Sequence, residues 1–107
     1  MPWHYVADFF GGVFLANGGV HLLAGGRWRR FPTPFANPPF RGLSSPFVNI
    51  LWGMFNFFMS YALLNAVGEF PLHHNADAVM AGIGFVLAAL FIARSIVKRR
   101  KAAAATE

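Results

Sequence analysis

The chain has 107 residues, 56% of them hydrophobic and 12% charged, and its nine lysines and arginines outweigh four acids to give a formal net charge of +5. An ordinary soluble domain is about a quarter charged, so the composition excludes that class, and three bilayer spans of about 20 residues each consume more than half the length. There is no cysteine, which removes disulfides, thiolate metal sites and thiol nucleophiles, and the cations flank the apolar stretches in the positive-inside pattern, which points to membrane lipids as partners and away from nucleic acid.

The expected fold is all-α: a multi-pass integral membrane protein with a single membrane domain over residues 1–107 and spans at about 5–26, 47–67 and 76–97. The first stretch, Met1 to Leu23, holds no lysine or arginine; it lacks the basic n-region of a signal peptide and reads as a retained span. Trp3, His4 and Tyr5 suit the headgroup layer. Asp8, Asn17, His21 and six glycines leave this span only marginally apolar, so its neighbours must shield it from lipid. A helix lying flat on the surface is the alternative, but Asn17 and His21 do not supply the basic polar face such helices carry.

Within that span Gly11, Gly12, Gly18, Gly19, Gly25 and Gly26 form pairs repeating every seven residues. At about 100° per residue they are expected to share one face, a helix-packing seam where backbones approach closely. Asn17 and His21 lie one turn apart on roughly the opposite face. Asp8, near the start of the span, shares the glycine face and is expected to reach the headgroups, with a proton-binding carboxylate as the alternative.

Residues 27–46, RWRRFPTPFANPPFRGLSSP, contain five prolines and four arginines. Proline at this density forbids a helix, and aromatics alternating with Arg and Pro predict a loop folded against the membrane face, with its guanidiniums on lipid phosphates. A Pro-rich ligand for a partner domain is the alternative. Ser45 before Pro46 provides an N-cap and a first-turn proline for the second span.

The second span places Asn49, Gly53, Asn56 and Ser60 in a narrow stripe, spaced four, three and four. Counted from the loop, Asn17 comes level with Asn56, and His21 with Asn49 to Gly53. Buried polar groups need partners in hydrocarbon, so these faces are expected to meet, with Ala81, Gly84 and Ala88 of the third span closing over them. That third span is preceded by EFPLHHN, with Asn75 a candidate cap and Asp77 placed in the first turn to favour the helix dipole. It is followed by Lys98, Arg99, Arg100 and Lys101, and residues 98–107 are expected to form a basic tail that frays in its alanines.

With three spans, the 27–46 loop and the chain's C-terminal tail share a side. Arg27, Arg29, Arg30 and Arg41 stand on it with Lys98, Arg99, Arg100 and Lys101, as a lipid-phosphate set, while Glu69 and Asp77 lie on the other. The positive-inside rule then gives an N-out, C-in arrangement in a cytoplasmic or bacterial inner membrane.

Function is carried by the polar set Asn17, His21, Asn49, Asn56 and Ser60, because intramembrane polar groups mark pathways or hold helices together. The first expectation is a small oligomeric protein that conducts or transports an ion or polar solute past this cluster. A helix occupied on one face by polar partners and shaped on the other for a close neighbour asks for an assembly, either a homo-oligomer or a larger membrane complex. A non-catalytic accessory or scaffold subunit is the alternative. A metal- or cofactor-binding membrane enzyme is a second alternative, with His4, Asp8, Glu69, His73, His74 and Asp77 as candidate metal ligands of suitable chemistry but without a motif spacing. The residues specify no cofactor, and they contain no Ser, His and acid constellation, no glycine-rich phosphate loop and no paired carboxylates within one span.

Overall fold

A computed structural model describes residues 3–67 and 75–105. Three long helices account for most of them: α1 (Trp3–Gly26), α2 (Pro46–Tyr61), which continues as a π-helical stretch over Ala62–Val67, and α3 (Asn75–Ala105). All three are long and apolar enough to cross a membrane, and the described residues form no strand beyond one isolated antiparallel bridge between Phe31 and Ser44.

The helix boundaries follow local chemistry. Ser45 is extended (φ −62°, ψ 159°) and its Oγ accepts the N–H of Val48 at 3.2 Å, while Pro46, which has no N–H to satisfy, occupies the first turn. The α3 helix does not fray in its terminal alanines as the sequence suggested; it runs through the basic cluster to Ala105. No glycine or proline interrupts 98–105, and alanine has the highest helix propensity of any residue. Its 31 residues span about 46 Å, more than the roughly 30 Å of bilayer hydrocarbon.

The helix α1 lies between the other two and packs on both, while no Cα of α2 comes within 8 Å of one in α3. Arg99 of α3 donates from Nη2 to the carbonyl of Arg41 at 2.8 Å, so the end of α3 reaches the 27–45 loop. The buried side of α1 is small or polar: Ala7, Asp8, Gly11, Gly12, Ala16, Gly18, His21 and Gly25. The large apolar side chains face outward instead, with Phe58 68% and Phe91 73% exposed. Such an arrangement would be costly in water and suits lipid, where small residues mediate helix contacts and bulky ones meet acyl chains.

The glycines do not form one seam. Gly11, Gly18 and Gly25 face α2, where an added Cβ would collide with Leu64, Phe57 and Ile50 respectively. Gly12 instead abuts the backbone of Ala81 and Phe85 in α3, and Gly84 of α3 abuts the carbonyl of Phe9. Gly19 and Gly26 have no neighbour within 4 Å of where a Cβ would stand. The seven-residue repeat kept only the first member of each pair on α2; the second member, 100° further round, turns toward α3 at Gly12 and away from both helices beyond it. The helix α2 therefore receives both this seam and the polar side chains.

Candidate functional site

The polar side chains of α1 and α2 meet in pairs. Asn17 donates from Nδ2 to Oδ1 of Asn56 at 2.9 Å, and Nδ1 of His21 lies 2.7 Å from Oδ1 of Asn49. Ser60 completes the series by donating to the carbonyl of Gly11 at 2.7 Å. The stripe spaced four, three and four in α2 thus runs along α1 with Gly53 as its spacer, where the helices approach so closely that a Cβ on Gly53 would press on Leu22 and the Gly18 carbonyl. Close backbone approach is what lets short amide side chains bridge the helices.

Asn49 is the most constrained of the set, with no exposed surface. Its Nδ2 is within hydrogen-bond distance of three carbonyls, those of Phe31 (3.1 Å), Ser44 (3.3 Å) and Ser45 (3.1 Å). That crowd of acceptors fixes the amide's orientation and leaves Oδ1 an acceptor toward His21. The ring must therefore donate from Nδ1, and in the neutral imidazole Nε2 is left as an acceptor. The same amide pins both ends of the Pro-rich loop, where Phe31 and Ser44 exchange backbone bonds at 3.3 and 3.0 Å and Thr33 pairs with Ser44 through their hydroxyls. The loop is thereby folded under the bundle, with Phe35 edge-on to Trp52 at 5.3 Å and Phe31 edge-on to His21 at 5.4 Å.

Because α2 and α3 stand apart, a groove of roughly 1080 Å³ opens between them. Its floor is α1, contributing Val13, Phe14, Asn17 and His21; α2 supplies Trp52 and Asn56, and α3 supplies Leu87, Ala88, Phe91 and Ile92. At the loop end Arg41, Lys98 and Arg99 line its mouth. Ala81 and Gly84 do not close over the polar pairs as the sequence suggested. They pack on Gly12 and Phe9, on another side of α1, and Ala88 lines the open groove instead.

At the far end, Asp8 does not reach outward: it has no exposed surface and faces Asp77 and His4. Asp77 is 5% exposed, and its Oδ1 lies 3.6 Å from Nε2 of His4. Among the described residues no N–H or hydroxyl donor reaches the Asp8 oxygens, and the carboxyl of Asp77 is the polar group beside them. No group of three or more acidic or histidine side chains among the described residues is arranged to hold a metal ion. Glu69, His73 and His74, the other ligands the sequence offered, lie outside the described residues.

Of the expected lipid-phosphate cations, Arg27, Arg29, Arg30, Arg41, Lys98, Arg100 and Lys101 are exposed and Arg99 is half-buried. Sequence reasoning placed all eight on one side but did not separate Arg41, Lys98 and Arg99 as the three that converge on one groove. It also missed Phe31 and Trp52 as walls around His21. The signal was an aromatic at the first position of the loop's FPTPF segment, but the loop's path cannot be read from composition. No family model, curated protein or solved structure matches the chain.

Proposed function

We propose that the protein is a membrane-embedded binding protein whose lateral groove receives an amphiphile dissolved in the bilayer, with His21 and Asn17 as the hydrogen-bonding station on its floor. The observation that carries this reading is the groove itself: an apolar cleft between two helices whose backbones stand apart, with one imidazole and one amide set in its base. The walls favour a hydrocarbon tail, and the ring nitrogen left over from Asn49 favours a hydroxyl on the ligand. A second reading, passage of a small polar solute along the same floor, is favoured by Asn17 and His21 both lining the cleft. It is weakened by the pairing of their amide and ring groups with Asn56 and Asn49.

In this reading the start of α1 faces the outside and the end of α3 the cytoplasm, because the cations of the loop and of α3 share one side. An Ala104→Cys variant should resist an impermeant thiol reagent applied to intact cells, whereas a Trp3→Cys variant should react; the reverse pattern would overturn the orientation.

Binding is tested with a diazirine-tailed monoacylglycerol in phosphatidylcholine nanodiscs. Photo-adducts should map to Phe14, Leu87 and Phe91, and Ala88→Trp, which fills the cleft, should abolish them. Adducts spread evenly over the outward-facing residues and unchanged by Ala88→Trp would contradict the reading. Liposome flux of a polar solute that falls in His21→Ala while the adducts are absent would favour the second reading.

A further inference from the structure

The groove has a polarity along its length. Its middle is lined by Leu87, Phe91 and Ile92, whereas its loop end is lined by Arg41, Lys98 and Arg99. Among the described residues no carboxylate lies within ion-pair distance of these three. The lining of α3 runs from Leu87 to Ala102, which at the helical rise is about 22 Å. That equals one leaflet of a bilayer counted with its headgroups, half of roughly 40–45 Å. A cleft one leaflet long, apolar within and cationic at its outer lip, has the dimensions and charge order of an anionic lipid.

The register of α1 on α3 sets where the ligand's atoms would fall. Gly12 lies against Ala81 and Phe85, and Phe9 against Gly84, so His21 comes level with about the Ile92 turn of α3. Lys98 is then one to two turns nearer the loop end, a separation of roughly 8 Å. A phosphate at the cations would leave the ester or hydroxyl oxygens just below it within reach of the His21 ring. Arg99 already donates to the carbonyl of Arg41, which draws the end of α3 onto the loop and holds the cations together.

We infer that the groove is selective for an anionic, phosphate-bearing amphiphile of one leaflet, with its headgroup held by Arg41, Lys98 and Arg99 and its first polar oxygens at His21. The inference rests on the groove's being a ligand site, and it adds the headgroup class and its polarity in the cleft. Lysine and arginine at a membrane surface attract an anionic head, and guanidinium groups match phosphate geometry closely.

The test uses the full chain in phosphatidylcholine nanodiscs with three diazirine-tailed probes of equal tail length: an alkyl phosphate, an alkyl alcohol and an alkyl trimethylammonium. Groove adducts of the phosphate should exceed those of the alcohol roughly tenfold, with the ammonium weakest. Arg41→Gln combined with Lys98→Gln should bring the ratio of phosphate to alcohol labelling in the groove down to about one. Equal labelling by phosphate and alcohol within the groove would overturn the headgroup assignment and leave the binding site standing. Persistence of the phosphate preference in the double variant would also overturn it, since the attraction would then come from the surrounding cations. Absence of groove adducts from every probe would sink both this inference and the reading beneath it.

Discussion

Gly12 of α1 and Ala81 of α3 meet backbone to backbone, so closely that a Cβ on Gly12 would stand inside the Ala81 carbonyl. This contact, with Phe9 on Gly84, holds α3 against one side of α1 while Gly53 and the polar stripe hold α2 against another. The two outer helices are therefore fixed apart by what α1 presents at each face, and the groove is the consequence.

Gly12→Ala should destabilise the bundle by about 1–3 kcal/mol, the usual cost of overpacking a site that cannot relax, because the colliding atoms are backbone. Gly19→Ala, with open space at its Cβ position, should be neutral or stabilising by up to about 1 kcal/mol. Thermal unfolding in detergent followed by circular dichroism compares the two. Equal destabilisation by both would mean that Gly19 is packed after all.

Asn56→Leu should cost about 1–2 kcal/mol, since it removes the acceptor of Asn17 in an apolar setting. The double replacement of Asn17 and Asn56 by leucine should recover part of that loss. A double-mutant cycle should give a coupling of about 0.5–1.5 kcal/mol, the range of interhelical bonds in membranes. A coupling indistinguishable from zero would show that the pair does not join the helices.

Asn49→Ala should be the most damaging of the polar changes, at roughly 2–4 kcal/mol, because two N–H donors shared among three carbonyls are lost together with the acceptor of the His21 ring. Its signature is local: hydrogen exchange at Phe31 and Ser44, whose amides are bonded across the loop, should accelerate far more than exchange within α3. Uniform acceleration would indicate global loosening and no special hold on the loop.

Much of this arrangement was legible in the residues. Counting turns from the loop paired Asn17 with Asn56 and put His21 level with Asn49 to Gly53, because hydrocarbon offers polar groups no partners but one another and depth is linear in residue number. The cap at Ser45 followed from local chemistry alone. What failed were inferences needing the angular width of a contact. A glycine pair spans 100°, about the breadth of one helix interface, so Gly11 and Gly12 could serve different neighbours. Asp8 looked like an interfacial carboxylate because nothing in the sequence says that α3 lays Asp77 beside it. The continuation of α3 to Ala105 follows from alanine's helix propensity, which outweighs the tendency of chain ends to fray.

The account depends most on His21 holding Asn49 with one nitrogen and facing the groove with the other. Nitrogen-15 NMR of imidazole-labelled protein in nanodiscs reads both atoms. A protonated Nδ1 unchanged by ligand, and an Nε2 resonance that moves when an alkyl phosphate is added and stays still in Ala88→Trp, is the predicted result. An Nε2 that never responds, or a proton resident on Nε2 with Nδ1 bare, would contradict it.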